Sequence, residues 1–262
     1  MIQQNQLRDM ISLNHMKTKL IHDVRAVKNK KELACIIKAQ RISEKVLQDA
    51  VTYLRTGISE LKVESFIKKS FIKYGAPILS FPPIVAFGKN TANIHHIPNK
   101  TKLKKGDAVM FDIGTTINHY CSDMTRTYFW GTPSKRQKEI YLAVLKAQQL
   151  AMQAIKKGER RGWVIDKTAR AYLSKKYKNN FQHGLGHGVG TVIHEWPNFK
   201  PKSEDTIPTG CVMTVEPGLY FKAKGTIEGG VRIEDMILIT KRGYKLLTKL
   251  PSSLESAILS FV

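Results

Sequence analysis

Apolar residues recur at helical spacing between Lys30 and Arg55. Leu33, Ile36, Ile37, Ile42, Val46, Leu47, Ala50, Val51 and Leu54 fall on one face and predict a long amphipathic helix, with Gly57 as its stop. A second helix is expected from Glu60 to Tyr74. Ser59 would cap it, Val63, Phe66, Ile67 and Phe71 would line its buried face, and Gly75 would end it. The pattern then changes. Leu79 to Gly88 reads as a strand entered through Pro82–Pro83, a composition that suits an edge or a strand start. A loop with His95 and His96 follows. Gly106 to Gly131 reads as two strands around a turn near Asn118, rich in Val, Thr, Tyr and Phe. Helical spacing returns over Thr132 to Lys157, with Pro133 early in the helix and Gly158 after it. Another helix is expected from Trp163 to Tyr177. Phe181 to Trp196 is glycine-rich, which lets backbone approach a ligand closely. Gly210 to Phe221 and Gly229 to Thr240 predict a last strand pair. Met1 to Asn29 is weakly patterned, so a short leader over 1–25 is expected before one domain over 26–262.

The two strand pairs share a chemical device. Folding the first about Ile117–Asn118 sets Asp112 directly opposite Asp123. Opposed side chains have Cβ atoms ~4.5–5.5 Å apart. Two carboxylates that close repel by ~4 kcal/mol at an effective dielectric near 20. A shared proton, a basic partner or a metal ion could offset that. Folding the last pair about Gly225 sets Glu216 opposite Glu234 in the same way. One carboxylate pair alone would also suit a glycosidase or an aspartic protease. Two pairs plus an imidazole such as His187 are better explained by two metal ions. Carboxylate oxygens suit hard divalent cations, and imidazole accepts Mn, Co, Fe or Zn. The chain therefore reads as two related halves, each with helices followed by a strand pair that presents two acids.

Composition adds bounds. At 262 residues, with 42% hydrophobic content, the chain can build one large domain or two small ones. No apolar run approaches the ~20 residues that span a bilayer. The N-terminus lacks a basic region followed by an apolar core, so no membrane partner and no secretion signal are expected. Cys35, Cys121 and Cys211 are widely spaced and odd in number. They do not form a disulfide framework, and a cytoplasmic location fits best. Cys121 and Cys211 read as small buried fillers. The net charge of +22 is spread over many lysine-rich stretches without an interleaved aromatic stripe, so nucleic acid is not an expected partner. His96 is expected at the surface and His119 at a turn tip.

The motifs FDIG, SDMTRT, HGLGHGVG, HE, TVEPG and VRIED occur in order between Phe111 and Asp235. Together they resemble the pita-bread metallopeptidases, and within them the Xaa-Pro aminopeptidase and prolidase branch. Ser122 before the second Asp, and Leu185-Gly186 before His187, set the chain apart from the methionine aminopeptidases. The resemblance implies an α+β fold of two pseudo-symmetric halves, with a curved antiparallel sheet and outer helices. It implies two divalent ions, manganese first and cobalt, zinc or iron as alternatives. Asp112 would chelate one ion, Asp123 and Glu234 would bridge, and His187 and Glu216 would bind the second. His95, His183 and His194 would contact the substrate or the tetrahedral intermediate, with Arg232 near the same pocket. The implied reaction is hydrolysis of an Xaa-Pro peptide bond by a metal-bridged hydroxide, with Glu216 passing a proton to the leaving nitrogen. Peptides with proline at the second position are the implied partners, and a homodimer is an open expectation. A methionine aminopeptidase and a non-catalytic binding module of the same fold are the competing readings.

Overall fold

A computed structural model describes residues 24–222 and 227–260. Most of the expected leader, and the centre of the last turn, lie outside the described residues. The chain opens with α1 (Lys30–Tyr53) and α2 (Glu60–Lys73). Asn29 caps α1 through a reciprocal pair. Its Oδ1 accepts from the Lys31 and Glu32 amides, and the Glu32 carboxylate accepts from the Asn29 amide. Ser59 caps α2 as expected. Ile36, Ala39, Val46, Leu47 and Ala50 bury the inner stripe of α1. Burial of that kind is worth roughly 1.5–3 kcal/mol for each large side chain.

The first half continues with β1 (Ile84–Phe87), β2 (Ala108–Ile113), the short ribbon β3 (Thr116–Ile117) and β4 (Tyr120–Cys121), and β5 (Met124–Trp130). The ribbon turns at Asn118–His119, and both residues lie in the left-handed region at φ 48° and 70°. That places the turn one residue later than expected. Asp112 consequently pairs with Thr125, not Asp123. The shift amounts to two positions across the ladder, so both acids remain on one face.

The second half repeats the plan with α3 (Lys135–Lys156) and α4 (Gly162–Tyr177). Pro133 lies outside α3, because Ser134 is the cap and Gln137 completes the capping box. Five strands follow: β6 (Gly186–Gly188), β7 (Glu195–Phe199), β8 (Val212–Val215), β9 (Gly218–Lys222) and β10 (Ile227–Arg232). Next come β11 (Asp235–Thr240) and β12 (Gly243–Leu246), then α5 (Leu254–Ala257) and β13 (Ile258–Leu259). Each long strand expected near the C-terminus is two strands. Pro217 has no N–H to donate, and the ladder breaks beside it.

The larger sheets run β1-β2-β5-β13 and β12-β11-β8-β6-β7, with β9–β10 as a separate ribbon. Their ladders are antiparallel except for β13 beside β5. Most apolar side chains from the sheets and helices merge into a main core that includes Leu47, Ile67, Phe111, Phe129, Tyr141 and Phe199, with smaller clusters around Ile36 and Val212 and around Ile84 and Met110. One backbone bond and one backbone-to-side-chain bond join the halves where β10 passes β5, for Glu234 N donates to Thr125 O and Arg232 N to Thr127 Oγ1.

Candidate metal centre

Asp123, Glu216 and Glu234 sit just beyond strand ends, where the ladders let go of them, and Asp112 is the next-to-last residue of β2. Gly218 pairs with Arg232 and Val215 with Asp235. Glu216 and Glu234 thus fall across from one another at the junction of two ladders, as the sequence predicts. Their amides are held elsewhere: Glu216 N donates to Leu185 O at 2.8 Å, and Glu234 N to Thr125 O at 3.1 Å. Asp123 lies just before β5, and Asp112 lies near the end of β2. His187 is carried by β6. A Cβ on its neighbour Gly186 would lie 2.1 Å from Thr214 O, so only glycine lets β6 come this close to β8.

All five predicted ligands face one cavity of about 540 Å³. One ligand atom each from Asp123, His187 and Glu234 lie within 4.8 Å of one another. His187 Nδ1 donates to Gly188 O at 3.1 Å. That bond fixes the ring so that Nε2 faces Glu216 Oε1 at 3.2 Å and Asp123 Oδ2 at 3.6 Å. Glu234 Oε2 accepts from Thr125 Oγ1 at 2.8 Å, and Asp112 Oδ2 accepts from Arg232 at 2.7 Å. The other oxygens of these two acids, Glu234 Oε1 and Asp112 Oδ1, are buried with no protein partner. A buried carboxylate oxygen without a donor is costly, and a cation is the partner that this oxygen-rich donor set fits.

Electrostatics point the same way. Burial, followed by the charges of Glu234, Asp112 and Glu216, pushes the Asp123 carboxyl well above the usual carboxylate range. Burial, Glu216 and Asp112 do the same to Glu234. Asp112 is raised less, because burial is opposed by the Arg232 charge. Glu216 is the exception. Burial raises it, but the His187 hydrogen bond and charge outweigh that and bring it to about 2. Its partner His187 is raised, as Glu216 overcomes the burial penalty on the imidazolium. Without an ion, one salt pair and at least two strained carboxyls share the site.

The four remaining predicted residues divide into two groups. His95 and His194 are exposed at the cavity, and His194 packs edge-on to His187 with ring centroids 4.3 Å apart. His183 is engaged by the protein itself. Its Nδ1 donates to Gly184 O at 2.8 Å, so Nε2 accepts from Tyr220 Oη at 2.8 Å. Tyr220 Oη in turn accepts from Arg232 at 2.9 Å. Burial lowers the His183 pKa, which keeps this tautomer neutral. Arg232 does not hold Glu234 or Asp235; its guanidinium spans Asp112, Tyr220 and Thr125 Oγ1. Arg126 holds Asp235.

His96 is buried, contrary to expectation. Its Nε2 lies 2.8 Å from Glu60 Oε2. Glu60 also accepts from the Phe87 and Asn99 amides and the Asn90 side chain, and so pins the loop that presents His95. Nothing in the helical pattern marks Glu60 as buried, since an acid at a helix start is normally solvated. Tyr220 is also fully buried. Cys121 and Cys211 are buried and form no disulfide, as expected.

Known proteins are similar to this chain in sequence and fold. The family model described as Metallopeptidase family M24 matches residues 34–241. An uncharacterised peptidase of Staphylococcus aureus strain USA300 is 40% identical over 229 residues, covering 87% of this chain and 64% of that protein. The chain thus spans about 64% of the length of the curated relative it matches. The prolidase of Pyrococcus horikoshii superposes with a TM-score of 0.86 at 38% identity, covering 90% of this chain and 67% of that one. The X-Pro aminopeptidase of Thermotoga maritima superposes with a TM-score of 0.83 at 32% identity, over 90% of this chain and 66% of that one. The glycine-rich histidine strand, the paired acids at ladder ends and these likenesses together place the chain in metallopeptidase family M24, with the pita-bread fold and within its Xaa-Pro branch.

Proposed function

We propose that the chain is a dinuclear-metal exopeptidase that hydrolyses Xaa-Pro bonds. The observation that carries this reading is the convergence of Asp112, Asp123, His187, Glu216 and Glu234 on one cavity, with two buried carboxylate oxygens lacking any donor. Asp112 would hold one ion, His187 and Glu216 the other, and Asp123 and Glu234 would bridge. Manganese is the first candidate. When bound, the ions supply positive charge that acidifies a water and polarises the scissile carbonyl.

The chain's own groups do the rest. Glu216 Oε1, held ionised beside His187, is the acceptor placed to take a proton and return it to the leaving nitrogen. His194 and His95 at the cavity offer ring nitrogens to the substrate's carbonyl groups. His183, whose nitrogens are both occupied, instead orients Tyr220 and through it Arg232 and Asp112. Phe81, Pro82, Ile84 and Ile94 form an apolar wall that suits a pyrrolidine ring. A tertiary amide has no N–H, so such a wall leaves no donor stranded. No described helix is long and apolar enough to cross a membrane. A cytoplasmic location, and a homodimer, belong to the same proposal.

Side-by-side assay of Xaa-Pro and Met-Ala peptides with added manganese tests the reading. Cleavage of the Xaa-Pro series alone is the expected result. Cleavage of Met-Ala alone would make the chain a methionine aminopeptidase, and failure to bind metal would make it a binding module.

A further inference from the structure

We propose that Asp166 and Arg170 on α4 are positioning residues for the metal centre, a role that rests on the peptidase reading above. Neither lines the cavity of the four acids and His187. The two form a bidentate pair one helical turn apart, with Arg170 nitrogens 2.7 Å from each Asp166 oxygen. The Asp166 side chain is only 1% exposed. A pair this ordered next to a loop has a use for its remaining bonds.

Those bonds all go to the backbone just before His187. Arg170 donates to Phe181 O at 2.9 Å and to His183 O at 2.7 Å, and its guanidinium stacks 4.2 Å over the Phe181 ring. Asp166 Oδ1 accepts from Leu185 N at 3.1 Å. Both faces of the 181–185 segment are thereby tied to one helix. From Leu185 the restraint passes directly to a ligand, because Leu185 O accepts the Glu216 amide. From His183 it passes through Tyr220 and Arg232 to Asp112. One ion pair outside the site therefore fixes an acid from each strand pair. Glycine at 184 and 186 gives this segment no side-chain packing of its own at those positions, so an external clamp is what holds it.

The far side of Arg170 is open. It borders a separate surface cavity of about 330 Å³, shared with Trp163, Lys167 and Pro201, and a quarter of its side chain is exposed. Small solutes can therefore reach the clamp without entering the metal site.

Arg170→Lys and Asp166→Asn test the role. Lysine keeps a cation beside Asp166 but cannot bridge both carbonyls, and asparagine keeps the shape of Asp166 without its charge. Calorimetric titration of metal-free protein with manganese is expected to show affinity weakened about tenfold or more, the size seen when a group behind a ligand is altered. Loaded enzyme is expected to lose kcat on an Xaa-Pro peptide by a similar factor, with KM changed less than about threefold. In Arg170→Ala, guanidinium ion at millimolar concentration is expected to recover part of both losses through the open cavity. A purely structural pair would lower the thermal midpoint and leave the affinity of the folded protein alone. Manganese affinity within twofold of the parent in folded Arg170→Lys and Asp166→Asn overturns the clamp, whatever happens to turnover. A parent that binds manganese but leaves Xaa-Pro peptides intact overturns the peptidase reading, while the affinity comparison still decides the clamp. A parent that binds no manganese overturns both.

Discussion

Single side chains carry the chemistry, and their roles can be separated by substitution. Asp123→Ala and Glu234→Ala are each expected to abolish turnover while the protein stays folded, since each removes a proposed bridge. Circular dichroism beside a peptide assay checks this, and retained turnover in both would contradict the bridging roles. Protonation gives a second test. The Asp123 and Glu234 carboxyls are raised well above their usual range by burial and by their acidic neighbours. Metal-free protein thus keeps protons there that an unfolded chain would release. Its stability is expected to fall as pH rises through those raised values, the reverse of an ion-paired acid. Adding manganese near neutral pH should release protons into weakly buffered solution, and affinity should weaken on acidification. The identity of the acids was readable because acids on apolar strands are conspicuous. The bond between His183 and Tyr220 is not readable in the same way, because the two residues sit 37 positions apart.

Among the elements, the helices and most strand positions follow directly from apolar spacing and capping chemistry. The breaks do not. The turn at Asn118–His119 needs left-handed backbone at both residues, and an alternating pattern reads equally well with the turn one residue earlier. β12, α5 and β13 are short and lie beyond the last strongly patterned stretch, so propensity alone passes over them. The loop between β1 and β2 is another case, for beside its own local bonds it is tied down by Glu60 on α2, which is remote in sequence. Glu60→Gln keeps the shape but weakens an acceptor shared by several donors. A loss of about 1–3 kcal/mol in denaturant unfolding is expected, the usual cost of one unsatisfied buried polar group. KM should rise as well, because the same loop presents His95.

Taken as one body, the protein is two similar halves joined across β5 and β10, with the acids at the seam. Arg126 reinforces that seam: from β5 it reaches the Glu234 carbonyl, the Asp235 carboxylate and the Leu250 carbonyl. The charge of +22 plays no visible part in this architecture. Much of the lysine excess lies on exposed surface, where it speaks to solubility more than to fold.

The crowded buried carboxyls at the seam also bear on how such a protein changes over generations. A cluster of buried acids is a liability whenever no ion is present, and neutral isosteres remove it. Asp123→Asn and Glu234→Gln are expected to raise the thermal midpoint of chelator-treated protein, even as they end catalysis. A mutant library selected for heat resistance in chelator should lose these carboxylates first, whereas selection with manganese present should keep them. Scarcity of metal would thus favour a sturdier chain of this fold without peptidase activity.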